Sequence, residues 1–178
     1  MKFVSKSPKE TQKVAADLAH KIIKTVKTVD NRLAKSVIHR RTVIALEGEL
    51  GAGKTVFVKG FAKALGIKSK IKSPTFVLMK KYVIPKSAIS RRRLDMQGDA
   101  LTLYHLDCYR VRDEKDLRIP ELKEILNMSH NNNVEDAPLH IVLIEWAERV
   151  REILPKKHIT VHIDHINKNT RKLLISND

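Results

Sequence analysis

The chain has 178 residues, of which 42% are hydrophobic and 31% charged. This length and apolar content suit one globular domain over residues 1–178, and they exclude a wholly disordered or fibrous chain. Lys and Arg number 35 against 20 Asp and Glu, which gives a formal net charge of +15. Such a surface would attract a polyanion such as nucleic acid, although solvated lysine-rich faces explain the charge equally well.

Three features of the sequence favour a cytoplasmic protein. No apolar run approaches the roughly 20 residues that a membrane-spanning helix needs. The N-terminus lacks the apolar block that follows the lysines of a secretory signal. The single cysteine, Cys108, cannot form an intramolecular disulfide. We therefore expect a cytoplasmic protein with no membrane attachment.

The first predicted element is an amphipathic helix. Ser7 and Glu10 form a capping box around Pro8, and apolar residues then recur at helical spacing to about Val26. The basic stretch 27–41 either prolongs this helix or forms a second one.

A strand, a glycine loop and a helix are predicted over residues 41–66. Residues 43–46 form a continuous apolar run, which is typical of a strand covered on both faces. From Thr55 onward the apolar residues favour one side of a helix, which Gly66 is well placed to end.

Strands and polar segments alternate through the rest of the chain. The stretches with β propensity are 76–79, 101–106, 139–144 and a C-terminal hairpin over 158–176. The polar segments are 86–98, an exposed basic excursion, 113–126, a helical passage, and 128–138, a loop. The overall pattern predicts an α/β fold, a three-layer α/β/α arrangement with a central mixed β-sheet.

Residues 48–55, Gly-Glu-Leu-Gly-Ala-Gly-Lys-Thr, match the phosphate-loop pattern G-x-x-x-x-G-K-[ST] without a mismatch. Its glycines let backbone N–H groups face phosphates, and the following helix adds its positive end. Lys54 can reach the terminal phosphates, and Thr55 can ligate Mg²⁺. We therefore predict a fold of P-loop NTPase type, with a nucleotide site and Mg²⁺ at this loop.

Two carboxylates are candidates for the acidic group that a phosphate loop requires beside it. Asp107 and Glu145 each end a predicted strand, and Mg²⁺ prefers hard oxygen ligands of this kind. Either residue could hold the metal or orient a water molecule. Each could also be an ordinary capping or surface group.

Taken together, the motifs resemble one family. After the loop come Ser-Pro-Thr-Phe at 73–76, Tyr-His-Leu-Asp-Cys-Tyr-Arg at 104–110 and Ile-Glu-Trp at 144–146. In this order the blocks resemble the TsaE family, the small ATPases of bacterial tRNA threonylcarbamoyladenosine biosynthesis. The likeness covers most of the chain.

The resemblance implies an ATPase that uses ATP and Mg²⁺. Its partners would be TsaD and TsaB, which threonylcarbamoylate adenosine 37 of tRNA, and it would support their repeated turnover. It would meet tRNA directly or through that complex.

The resemblance also assigns roles to individual residues. The catalytic residues would be Lys54, Asp107 and Glu145. The metal ligands would be Thr55, Glu145 and Asp107, and Thr75 would be a switch that senses the γ-phosphate. The nucleotide-binding residues would be Thr11, Glu49, Leu50, Gly51, Ala52, Gly53, Lys54, Thr55, Val56 and Trp146. Trp146 fits equally well as an ordinary partly buried indole.

Other functions remain open on the residues alone. A small-molecule kinase would use the same loop with a lid over the phosphates, for which Arg91, Arg92 and Arg93 are candidates. A purely binding protein would hold tRNA on its basic surface and keep ATP as a structural ligand. The histidines of the predicted hairpin do not converge on one face of a strand, so we expect no structural zinc.

Overall fold

The computed structural model describes residues 1–28, 41–88, 101–112, 116, 125–126 and 140–177. Its helices and strands are β1 (Lys2–Ser5), α1 (Pro8–Thr28), β2 (Arg41–Glu47), α2 (Lys54–Ala64), β3 (Met79–Val83), β4 (Thr102–Asp107), β5 (His140–Glu145), β6 (Ile159–His165) and β7 (Arg171–Asn177). The predictions for 29–40, for 89–98 with its three arginines, and for most of 113–138 lie outside the described residues.

A single mixed sheet holds the seven strands in the order β1-β7-β6-β2-β5-β4-β3. β6, β2, β5 and β4 run parallel to one another, whereas the other pairings are antiparallel. Parallel strands end at the same edge of a sheet, and ligands of such sheets bind outside that edge. The loop after β2 therefore lies beside the ends of β5 and β4. The predicted α/β class with a central mixed sheet is confirmed.

Both faces of β2 are covered, which explains its continuous apolar run. Ile44 and Leu46 share a core cluster with α1 and α2, while Val43 and Ala45 face the opposite side. Among the described residues, that opposite side is covered by short segments and single 3-10 turns. The residues that cover it include Val111, Ile125, Leu126, Ala147 and Val150.

The two described helices cross at a glycine. A Cβ on Gly60 would lie 2.5 Å from the Cα and the carbonyl oxygen of Gln12, so no larger residue fits without moving the backbone. At the start of α1, the N–H of Glu10 donates to the Ser7 hydroxyl at 3.2 Å, as predicted. The Glu10 carboxylate accepts from the N–H of Lys6 at 2.8 Å, one residue earlier than in a standard capping box.

One strand prediction was wrong and one strand was missed. The predicted strand over 76–79 begins only at Met79, because the N–H of Val77 closes a turn onto Pro74 at 2.9 Å and Leu78 has a left-handed φ of 60°. β1 was not predicted. It has four residues and forms by pairing with β7, and no local sequence pattern predicts that contact.

Within the described part of the chain, neither helix is long and apolar enough to cross a membrane.

Candidate functional site

The phosphate loop joins β2 to α2 at the shared edge of the parallel strands. Gly51 and Gly53 have φ values of 77° and 109°, which residues with side chains rarely adopt. Gly48 has a φ of 130°, and a Cβ there would collide with the carbonyl oxygen of Ile163 on β6. The glycines are thus needed both for the curl of the loop and for its packing on the sheet.

Lys54 is the first residue of α2, and its side chain turns back over the loop. Its ammonium group donates to the carbonyl oxygen of Gly48 and, at 2.9 Å, to that of Glu49. It also lies 3.6 Å from the centroid of the Trp146 ring. The ammonium is therefore held at the mouth of the loop, where the phosphates of a nucleotide would lie.

Burial lowers the pKa of Lys54 from its usual value of 10.5, because desolvation disfavours the charged form. Nearby carboxylates act in the opposite direction and favour the ammonium form. They belong to Glu148, Glu145 and Asp107.

Trp146 follows β5 directly and has a left-handed φ of 61°. Its ring centroid lies 5.0 Å from that of Tyr109 and 5.4 Å from the guanidinium carbon of Arg149. With Lys54 over its face, the indole forms one wall of the loop's mouth. The stacking of a nucleotide on this ring stays a prediction.

Glu145 connects three elements. Its Oε2 accepts a hydrogen bond from the Thr55 hydroxyl at 2.8 Å, so the end of β5 is joined to the first turn of α2. Its Oε1 lies 2.8 Å from Nε2 of His105 on β4, and the two side chains are 3% and 0% exposed. Both carboxylate oxygens are therefore oriented by neighbours.

Asp107 ends β4 in register with Glu145 on the adjacent strand. Its Oδ2 accepts hydrogen bonds from the hydroxyls of Ser73 and Thr75, the latter at 2.6 Å. Its Oδ1 accepts from the N–H of Tyr109 at 3.0 Å. Asp107 thus holds the Ser-Pro-Thr bend against the site, and it brings Thr75 to the edge where the predicted acids lie.

The oxygens at this edge are compatible with the predicted metal. The Thr55 hydroxyl and the Glu145 carboxylate offer two hard oxygens 2.8 Å apart beside the loop, and Mg²⁺ in nucleotide sites takes such ligands together with phosphate oxygens and water. Asp107 supplies a second carboxylate on the neighbouring strand, but its Oδ2 already has two hydroxyl donors.

The remaining predicted residues are spread between the loop and its neighbours. Glu49 and Leu50 are exposed at the tip of the loop, and Ala52 is buried beneath it. Val56 lies in the first turn of α2. Thr11 is buried in α1, where its hydroxyl lies 2.8 Å from that of Ser5, and its predicted contact with a nucleotide stays a prediction.

Two residues that contact this site were not predicted to be part of it. His105 precedes Asp107 by two residues on one strand, so the two share a face, and that spacing could have revealed it. Arg171 donates to the carbonyl oxygen of Ala52 at 3.0 Å across 119 residues of sequence. No local signal could have revealed that contact.

A cleft of about 490 Å³ opens beside the loop, towards β6. On its wall His162 contacts Glu47 at 3.4 Å and Asp164 at 2.9 Å, and Arg151 contacts Glu47 at 3.1 Å. Among the residues that the structure describes, no three His, Cys, Asp or Glu side chains are grouped as a metal site would require.

Known proteins are similar to this chain. The profile of the family described as "Threonylcarbamoyl adenosine biosynthesis protein TsaE" matches residues 5–173. Two relatives carry the name tRNA threonylcarbamoyladenosine biosynthesis protein TsaE. The one from Bacillus subtilis (strain 168) is 36% identical over 132 residues, which are 74% of this chain and 66% of that protein, just under two thirds. The one from Treponema pallidum (strain Nichols) is 31% identical over 140 residues, 79% of this chain and 85% of that protein.

A solved structure is similar as well. The crystal structure of Bacillus subtilis YdiB superposes with a TM-score of 0.59 at 25% sequence identity, covering 99% of this chain and 84% of that one. The family profile leaves only a few residues unmatched at either end. This chain belongs to the TsaE family.

Proposed function

We propose that this chain is a Mg²⁺-dependent ATPase of the cytoplasm that serves tRNA threonylcarbamoyladenosine biosynthesis. In this proposal it acts with TsaD and TsaB, so that threonylcarbamoylation of adenosine 37 can occur repeatedly. Membership of the TsaE family and the names of its relatives support the pathway. The observation that carries the ATPase activity is the hydrogen bond of Thr55 to Glu145 beside Lys54 and the phosphate loop.

ATP would lie along the loop, with its phosphates against the N-terminus of α2. The partial positive charge of that helix end and the loop N–H groups favour the phosphates, and Lys54 adds a full charge. When bound, Mg²⁺ would neutralise charge on the β- and γ-phosphate oxygens, and Thr55 and Glu145 are the residues that would hold it.

Glu145 and Asp107 have different roles in this proposal. In hydrolysis a water oxygen bonds to the γ-phosphorus, the bond to the β–γ bridging oxygen breaks, and ADP departs with that electron pair. The proton that the water loses passes to the phosphate product or to solvent. Glu145 faces Thr55 and so serves the metal side. Asp107 accepts from the Thr75 hydroxyl at 2.6 Å, and in this proposal that hydroxyl senses the γ-phosphate.

The test is ATP hydrolysis by the purified chain, measured with and without Mg²⁺, and alone or with TsaD, TsaB and tRNA. We expect hydrolysis to rise with the partners and to accompany repeated modification of tRNA. Lys54→Ala should abolish it. Lys59→Ala, an exposed lysine on the same helix, is the matched control and should not.

Two results would contradict the proposal. One is a rate of ATP hydrolysis that TsaD, TsaB and tRNA do not change, together with tRNA modification that does not depend on this chain. The other is phosphate transfer to a metabolite without partner proteins, which would favour a small-molecule kinase.

A further inference from the structure

Arg171 is the first residue of β7, and its guanidinium bridges the phosphate loop and the turn of the β6–β7 hairpin. On the loop side it donates to the carbonyl oxygens of Ala52 at 3.0 Å and Gly51 at 3.4 Å. On the hairpin side it donates to three carbonyl oxygens, those of Asn167 (2.9 Å), Lys168 (3.4 Å) and Thr170 (3.1 Å). One side chain thus joins two segments that are far apart in sequence.

The hairpin turn provides an ordered base for this bridge. The Asn167 side-chain oxygen accepts from the N–H groups of Asn169 at 3.1 Å and Thr170 at 2.9 Å. The N–H of Ile166 donates to the carbonyl oxygen of Thr170 at 3.0 Å and closes the hairpin. The carbonyl groups that accept from Arg171 thus belong to a turn that is ordered by its own hydrogen bonds.

On the loop side, the bridge sets the direction of peptide groups. In a trans peptide the N–H and C=O point in opposite directions, so a carbonyl held by Arg171 turns the next residue's N–H away from it. Holding the Ala52 carbonyl thus directs the N–H of Gly53 to the other side, at the N-terminus of α2 where amides meet phosphates. Holding the Gly51 carbonyl supports the turn in which the Ala52 N–H donates to Glu49 at 3.1 Å.

Arg171 braces a part of the loop that Lys54 does not, since Lys54 holds the carbonyl oxygens of Gly48 and Glu49. Gly51 and Gly53 have no side chains, and a Cβ on either would meet open space, so no side chain of their own restricts their backbone. A planar guanidinium with five N–H groups on three nitrogens can hold carbonyls of both segments in fixed directions, whereas a lysine ammonium donates from a single nitrogen.

We propose that Arg171 is a positioning residue that holds the phosphate loop in its nucleotide-binding conformation and ties it to the β6–β7 turn. The inference rests on the proposed function in one respect, since it takes nucleotide phosphates to be the ligand of the loop.

Arg171→Lys is the variant of choice because it keeps the positive charge and most of the volume. The control is Lys172→Gln, which alters the next residue of β7, a lysine 3.4 Å from Asp164. Two measurements separate the effect of Arg171 on the loop from its effect on nucleotide binding. One is backbone amide hydrogen exchange of residues 48–53 in nucleotide-free protein, compared with exchange of β6 and β7. The other is the dissociation constant of MgATP.

We expect the loop amides to exchange about tenfold faster in Arg171→Lys, and MgATP to bind about tenfold more weakly, as the loss of charge-assisted hydrogen bonds predicts. Exchange in β6 and β7 and the unfolding midpoint should stay close to those of the wild type. Lys172→Gln should match the wild type in loop exchange and affinity.

Loop exchange and affinity equal to those of the wild type would overturn the proposal. So would faster exchange throughout β6 and β7 with a lower unfolding midpoint, because that pattern marks a structural role alone. A wild-type chain that binds no MgATP would contradict the proposed function, and the brace would then stand or fall on loop exchange alone.

Discussion

The ends of β4 and β5 carry acids in register with each other, yet the two acids are held by different kinds of neighbour. Glu145 is buried, and its oxygens contact α2 on one side and β4 on the other. Asp107 holds the Ser-Pro-Thr bend, which leads into Phe76 with 84% of its surface exposed. The partners of Glu145 belong to a helix and a strand, whereas Ser73 and Thr75, which donate to Asp107, belong to neither.

Position at the sheet edge therefore does not fix the role of a carboxylate. Glu145 contacts α2 and β4, and we propose that it is a constant ligand. Asp107 contacts Ser73 and Thr75, which lie outside the helices and strands, and we propose that it takes part in a switch. Four substitutions test this contrast between the two acids.

Glu145→Gln should have the largest effect. It keeps the shape of the side chain but removes the charge beside Thr55, and we expect the rate of ATP hydrolysis to fall about 100- to 1000-fold, the range seen when one charge-stabilising group is lost from an active site. Steady-state kinetics at saturating MgATP measure it. Glu152→Gln, at an exposed position, is the control. A loss below about tenfold would move the central role to the other acid.

Thr75→Ala tests the bend. It removes the 2.6 Å hydrogen bond to Asp107, and we expect kcat to fall about tenfold or more while the dissociation constant of MgATP changes less than about threefold, because the bond serves turnover and not binding. Thr75→Ser should restore most of the rate, since it keeps the hydroxyl. Equal losses in Thr75→Ala and Thr75→Ser would show that the methyl group matters and that the switch reading is wrong.

His105→Phe tests how Glu145 is oriented. The buried imidazole lies 2.8 Å from Oε1, and removal of such a supporting partner typically weakens a metal site about tenfold. The measurement is the Mg²⁺ concentration that gives half-maximal hydrolysis at fixed ATP. His105→Gln offers a replacement N–H donor and should recover part of the loss. Unchanged Mg²⁺ dependence in His105→Phe would remove His105 from the site.

Cys108 tests whether the end of β4 is itself rigid, with no direct effect on chemistry expected. Burial is the largest cause that raises the pKa of its thiol from 9.0 to about 12, and the negative charge of Asp107 is the second. The folded pKa exceeds the unfolded one, so the stability it contributes is complete below pH 9 and is lost as the pH rises towards about 12.

The wild type should therefore lose about 2 to 3 kcal/mol more unfolding free energy between pH 9 and pH 11 than Cys108→Ala does, at 1.36 kcal/mol per pKa unit. Urea unfolding at each pH measures this difference. In the native protein at pH 8 the thiol should be inert to a thiol reagent. Rapid labelling there would show that the end of β4 opens, and the contrast with the bend would disappear.

Much of the fold could be predicted because it depends on local patterns. The strand, loop and helix around Lys54 follow from an apolar run, three glycines and helical spacing within one short stretch. The start of β3 and the existence of β1 could not be predicted, since a turn closed by Val77 and pairing with β7 decide them. The sequence predicts that Asp107 and Glu145 end strands, but it does not show which neighbours each carboxylate contacts.

Local sequence patterns are enough to predict the phosphate loop, the helix after it and the two acids, because backbone freedom at glycine and side-chain periodicity act over a few residues. Which groups contact one another depends on long-range contacts in the fold. The contacts of Thr55 with Glu145, of Thr75 with Asp107 and of Arg171 with Ala52 join residues 90, 32 and 119 positions apart. They depend on the order and register of strands in the sheet, and that order arises from packing of the whole chain.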